Sequence, residues 1–110
     1  MTFHLNEDEN LLYHTQANLF RGIEGVGGDL RITDRRICFN PHPLNIQKDP
    51  EEIPLKDIQE VNKKNTLGIF PNGIQIVKKD GTKFHFVVNK RNEIILYIEK
   101  HMGKTNLPKF

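Results

Sequence analysis

Between Asp29 and Val88 apolar residues recur at every second position in short runs broken by turn formers, and after Val88 the period lengthens to that of a helix. Such a chain is confined to antiparallel strands followed by one helix, because tight turns join only antiparallel neighbours and side chains alternate faces only in extended chain. Leu30 and Ile32 alternate with Asp29 and Arg31, Thr33 to Arg35 break the run, and Ile37 and Phe39 alternate with Arg36, Cys38 and Asn40. The spacing predicts a hairpin. Asn40, Pro41, His42 and Pro43 end it, since proline has no N–H for the ladder and biases the residue before it.

Ile53 to Val61 reads as a short strand entry and a further strand, with Ile58 inward. Asp80 and Gly81, set between Ile74–Val77 and Thr82–Val88, predict a two-residue hairpin turn. In that register Lys79 faces Thr82, Lys78 faces Lys83, Val77 faces Phe84 and Gln75 faces Phe86. One face then carries Val77, Phe84, Phe86 and Val88, the other Ile74, Ile76, His85 and Val87, and both are expected to be covered. Past Val88, Asn89 is the expected N-cap, Ile94, Ile95, Ile98 and Met102 repeat at helical spacing, Lys100 and His101 fall in the last turn, and Gly103 suits a C′ position. A first strand is expected from Leu11 to Phe20.

These elements predict a mainly β domain: a half-open antiparallel barrel of about seven strands capped by the C-terminal helix. No repeat or linker divides residues 1–110, so one domain is expected, with a core over about 11–102 and loosely held tails at 1–10 and 104–110.

Charge narrows the function. The chain carries 16 Lys+Arg against 14 Asp+Glu, too even for a polybasic protein. The halves differ: residues 1–55 hold 5 Lys/Arg and 9 Asp/Glu, residues 56–110 hold 11 and 5. A solvated imbalance and a basic recognition face in the second half are both open readings. No apolar run is long enough to span a bilayer, and the single cysteine, Cys38, cannot form an internal disulfide, so a cytoplasmic location, in part peripheral at a membrane, is expected. Serine is absent, which removes serine-nucleophile hydrolysis.

The stretch Gly27, Gly28, Asp29, Leu30, Arg31, Ile32, Thr33, Asp34, Arg35, Arg36, Ile37, Cys38, Phe39 resembles the hairpin of the GRAM domain family, a branch of the pleckstrin-homology-like superfamily. Ile53, Pro54, Leu55, Lys56, Asp57, Ile58 is similar to a second family segment, and the likeness runs on through Asp80–Val88 into the helix, from about Leu11 to His101. The resemblance to a single-domain, bacterial-type member implies a pleckstrin-homology-like barrel, a binding role toward lipid or protein, and no enzyme activity. Relatives that hold inositol phosphates line the loop between the first two strands with Lys and Arg. Here the expected loop, Gly22 to Gly28, offers Glu24 and four glycines, flanked by Arg21 and Arg31. That composition argues against tight phosphoinositide binding at that place.

Several residue groups invite chemistry. Gly22, Gly25, Gly27 and Gly28 read as a tight turn, since no Gly-Lys-Thr follows and a strand comes next. Cys38 and His42 have no second cluster among His4, His14, His85 and His101, so neither metal nor nucleophile is expected, and no cofactor. Glu7, Asp8, Glu9, Glu51 and Glu52 read as solvated charges. The segment Leu67, Gly68, Ile69, Phe70, Pro71, Asn72, Gly73 is an apolar loop, preceded by Lys63 and Lys64 and followed by Lys78, Lys79 and Lys83. Leu67, Ile69 and Phe70 have three readings: folded back on the barrel, in contact with a protein or second copy, or inserted in an anionic bilayer with the lysines beside them. The basic residues lack interleaved aromatics, so nucleic acid is not an expected partner. The sequence thus predicts a non-catalytic binding module for a protein partner or anionic membrane lipid, with protein ranked ahead. The alternative is a homo-oligomeric interaction protein, expected to show as a homodimer.

Overall fold

The computed structural model describes residues 3–43 and 49–102. Seven strands run in chain order: β1 (Leu11–Arg21), β2 (Glu24–Thr33), β3 (Arg36–Pro41), β4 (Glu51–Pro54), then a 3₁₀ turn (Leu55–Asp57), β5 (Ile58–Thr66), β6 (Phe70–Lys78) and β7 (Lys83–Val87). A single helix, α1 (Arg91–Met102), follows. All pairings are antiparallel and the order across the sheet is β4-β3-β2-β1-β7-β6-β5, so the sheet is bent but not closed. This is the predicted architecture.

The inward positions are those named by the two-residue period. Leu30, Ile32, Ile37, Phe39, Ile53 and Ile58 are buried, as are Ile94 and Ile98 of α1, which packs into the open end of the sheet. Burial of these side chains contributes about 1.5–3 kcal/mol each before chain entropy is counted. The helix starts one position later than Asn89 would set it, for the Lys90 carbonyl accepts the first helical bond, from Ile94 N at 3.1 Å. Gly103 and the tail 104–110 lie outside the described residues.

Three expectations are corrected. The hairpin between β6 and β7 pairs Val77 with Lys83, Ile76 with Phe84, Gln75 with His85 and Ile74 with Phe86, one residue out of the predicted register. A two-residue turn of the Asn-Gly kind needs positive φ at both central residues, and here only Gly81 has it (φ 94), not Asp80. The chain uses a three-residue loop, Lys79 to Gly81, closed by Lys78 N donating to Thr82 O (2.8 Å) and Gly81 N to Lys78 O (2.9 Å). Ile74, Ile76 and Phe86 therefore share the core face, with Phe84 packed beside them, while Gln75, Val77, His85 and Val87 turn outward and are half-buried. Lys78 and Lys83 do not face each other.

The second correction concerns the glycines. The first hairpin turns at Gly22 (φ 65) and Ile23 alone, and Gly25, Gly27 and Gly28 belong to β2. At Gly28 the reason is a close approach: a Cβ there would meet the Asn40 carbonyl oxygen and Pro41 Cα (2.8 Å). Third, Glu9 is buried, not solvated, and the segment before β1 is tied down. Arg36 Nε and Nη2 donate to the Glu9 carboxylate at 2.7 and 2.9 Å, Arg36 Nη2 also reaches His4 O (2.7 Å), and Asn10 N donates to Asp34 Oδ1 (3.0 Å).

Candidate functional site

The tip of the β5–β6 hairpin is the most apolar exposed feature of the described residues. Leu67 is 81% exposed, Ile69 72% and Phe70 50%. The reading in which they fold back on the barrel is overturned, and the loop is shorter than predicted, because Phe70 to Gly73 already belong to β6. Leu67 (φ 56) and Gly68 (φ 72) both take the left-handed region, and Ile69 N closes the turn on Thr66 O at 3.1 Å. Two successive positive φ angles reverse the chain within two residues, which leaves no slack for the side chains to return to the core.

The base of the tip is fixed by polar contacts. Thr66 Oγ1 donates to Asn72 Oδ1 (2.6 Å), and His85 Nε2 lies 3.4 Å from the same hydroxyl. The His85 ring stacks on Phe20 at 5.0 Å and lies over Gly73. Burial, then the nearby Lys64 charge, pushes the His85 pKa below its ordinary value. From the start of α1, Arg91 Nη1 donates to Asn65 Oδ1 (3.2 Å) and Gly73 O (3.3 Å), binding helix to hairpin.

The predicted lysines split into two groups. Lys63 and Lys64 are exposed on β5 just before the tip and make no ion pair among the described residues. Lys78, Lys79 and Lys83 cluster at the other end of β6, eight residues from Phe70, which is roughly 26 Å at about 3.3 Å per residue. They stand about a strand's length from the apolar tip, whereas Lys63 and Lys64 stand directly beside it. Sequence reading missed Lys90 and Arg91, which the helix start brings beside Lys63; the signal was two cations where a helix prefers acidic residues. It also missed Ile23, fully exposed at the β1–β2 turn.

Other candidates take structural places. Cys38 is buried and its thiol is pushed up to about 11, chiefly by burial. Among the described residues no group of three or more His, Cys, Asp or Glu could hold a metal ion. No helix of the described residues is long and apolar enough to cross a membrane. Arg21, beside the β1–β2 turn, is engaged by Glu51 (3.2 Å) and by the Asp49 carbonyl (2.6 Å).

An antiparallel seven-strand sheet left open and plugged by a C-terminal helix is the pleckstrin-homology-like class, whose members are typically non-catalytic and generally mediate lipid or protein binding. Within that class the chain belongs to the GRAM domain family, whose model matches residues 1–107. Among solved structures it is similar to the C-terminal domain of an unknown protein from Leishmania infantum, with TM-score 0.74, 18% identity, and 87% of this chain and 86% of that one covered. It is also similar to the N-terminal PH domain of human ARAP2, with TM-score 0.71, 14% identity and coverage of 89% and 84%. A Slm1 PH domain in complex with inositol-4-phosphate gives TM-score 0.60, 8% identity and coverage of 84% and 94%. At these identities the likeness is one of fold.

Proposed function

We propose that this domain is a non-catalytic binding module that engages an anionic membrane surface through the tip of the β5–β6 hairpin. The observation that carries the reading is the exposure of Leu67, Ile69 and Phe70 together at and just after one two-residue turn. Each such side chain gains about 1.5–3 kcal/mol on leaving water, and a lysine near an anionic surface adds about 1 kcal/mol. Lys63 and Lys64 are placed to act with the tip, and the distant Lys78, Lys79 and Lys83 are not. The Slm1 PH domain, similar in fold, forms a complex with inositol-4-phosphate, which supports a binding role of this kind. Here the β1–β2 turn is poor in free cations, which moves the contact elsewhere.

A protein contact, including a homodimer, is the second reading, since an exposed apolar trio equally suits a protein surface. Co-sedimentation with phosphatidylcholine vesicles, with and without phosphatidylserine, separates the two. Binding that requires phosphatidylserine, fails in Phe70→Ala and persists in Lys78→Glu/Lys83→Glu is the expected result. No binding to either vesicle, with a concentration-dependent dimer in light scattering that Phe70→Ala abolishes, establishes the second reading instead.

A further inference from the structure

We propose that His85 is a proton-sensitive latch at the base of the β5–β6 tip, closed while its imidazole is neutral and released when the ring takes up a proton. Four strands meet at this ring. Phe20 of β1 stacks on it at 5.0 Å, and Gln75 of β6 is its partner across the β6–β7 pairing. Gly73 of β6 leaves the space the ring fills, since a Cβ there would come within 2.6 Å of Nε2. Thr66, the last residue of β5, presents its hydroxyl 3.4 Å from the same nitrogen.

The hydrogen bonds decide which form of the ring fits. Thr66 gives its one hydroxyl proton to Asn72 Oδ1 at 2.6 Å, so toward the imidazole Oγ1 can only accept. Nε2 therefore carries the proton of the neutral ring, and Nδ1 is the atom that a second proton must occupy. The surroundings do not welcome that charge. Lys64 of β5 opposes it, and Arg91 of α1 lies beyond Gly73, on whose carbonyl oxygen it donates at 3.3 Å. From β1 and β6 the ring meets Phe20, Asn72, Gly73 and Gln75, none of them ionisable. Lys83 of β7 and Glu60 of β5 flank Val77 one row further along the same face. No ion pair among the described residues brings a carboxylate to His85.

Burial, then Lys64, holds the ring below its ordinary 6.5, so the latch is closed at neutral pH. The sign follows from linkage: a base with a depressed folded pKa contributes stability above its unfolded value, and that stability is lost as pH falls through the folded one. A charged ring gains hydration by leaving Gly73, and its bond to Thr66 goes with it. Thr66 and Asn72 bracket the turn at Leu67 and Gly68, where a leucine at φ 56 leaves the hairpin end little reserve. Acid therefore frays the tip and disperses Leu67, Ile69 and Phe70. The consequence for attachment rests on the membrane reading above: attachment weakens in acid, the reverse of what added positive charge alone does at an anionic surface.

The test is an NMR titration of the full chain from about pH 7.5 to about pH 5, following the His85 ring and amide exchange over residues 65–73. His85→Phe keeps an aromatic ring on Phe20 and cannot take a proton, and Thr66→Val severs the hydroxyl link. Exchange at the tip, corrected for its intrinsic pH dependence, is expected to rise about tenfold or more with the midpoint of the ring. The rise is expected to vanish in His85→Phe, and Thr66→Val is expected to exchange fast throughout. Exchange that stays flat while the ring titrates, that rises equally in His85→Phe, or that keeps its step in Thr66→Val overturns the latch. Sedimentation with phosphatidylserine vesicles at the two ends of the range separates the latch from the membrane reading. Binding that falls about threefold or more in acid, and does not fall in His85→Phe, supports both. Tip opening with no vesicle binding at any pH keeps the latch and overturns the membrane reading, whereas vesicle binding through Phe70 without tip opening does the reverse.

Discussion

Arg36 holds the carboxylate of Glu9 with two charge-assisted hydrogen bonds, Nε to Oε2 at 2.7 Å and Nη2 to Oε1 at 2.9 Å, and the Glu9 side chain is wholly shielded from water. Thr33 Oγ1 donates a third bond, 2.6 Å, to the same carboxylate. The pair fastens the segment before β1 to the β2–β3 turn, and it fixes how the domain responds to acid. The Arg36 hydrogen bonds, against the opposing effect of burial, lower the Glu9 pKa to about 2 from 4.5. A depressed carboxylate contributes stability that is fully present above the unfolded pKa and lost as pH falls through the folded one, here between about 4.5 and about 2. Urea unfolding is expected to lose about 3 kcal/mol across that window, and Glu9→Gln is expected to flatten the curve.

Arg36→Ala tests the same pair from the other side. It strands a buried carboxylate, so a loss of about 3–5 kcal/mol at pH 7 is expected, larger than the loss from Glu9→Gln, which removes the charge that needs compensation. Equal losses in the two variants would show that Arg36 acts through packing against Phe3, whose ring lies 5.3 Å from its guanidinium carbon.

Gly73 lies under His85, and a Cβ there would collide with the Lys64 carbonyl oxygen and approach His85 Nε2 to 2.6 Å. Gly73→Ala is expected to part β5 from β6 and push His85 off Phe20. A stability loss of about 1–3 kcal/mol follows, with the His85 ring resonances moving toward those of an exposed imidazole. Gly25→Ala, where the nearest atom is a Phe20 ring carbon at 3.6 Å, is expected to be much milder.

These contacts also explain how far the sequence could be read. Period-two alternation located β2, β3, β6 and β7 because inward Leu30, Ile32, Ile37 and Ile74 are separated by outward residues, and the helical period located α1 from Ile94, Ile98 and Met102. The register of Phe84 and Phe86 was not legible, because it hangs on whether Asp80 adopts positive φ, and both turns suit Asp-Gly. Glu9 looked like a solvated acid beside Glu7 and Asp8, because nothing local announces a guanidinium 27 positions away. At the candidate site the apolar tip was legible from Leu67, Ile69 and Phe70. The separation of Lys78, Lys79 and Lys83 from it was not, since sequence proximity conceals the length of β6.

Cys38 is buried beside Arg36, and its thiol is pushed up to about 11 from 9.0. The thiolate is the reactive form, so the native protein at pH 8 is expected to react with an aromatic disulfide reagent far more slowly than the protein in denaturant. Because the shift is upward, stability is fully present below the unfolded pKa of about 9 and falls as pH rises through about 11. Native labelling as fast as denatured labelling would place Cys38 on an accessible surface.

Leu67 stands in the left-handed region, at φ 56, at the first central position of its turn. Asparagine is the preferred residue there, ahead of a glycine, because its short polar side chain tolerates positive φ. Leucine at that position costs about 1 kcal/mol relative to a residue suited to it. It is 81% exposed, so it recovers nothing in the folded monomer. Leu67→Asn is therefore expected to raise Tm by about 4 °C while weakening attachment to phosphatidylserine vesicles. A stability gain coupled to a binding loss would identify the strained leucine as a residue retained for contact. A gain in stability with unchanged binding would assign the contact to Ile69 and Phe70 alone, and a fall in Tm would mean that the Leu67 side chain packs against the hairpin.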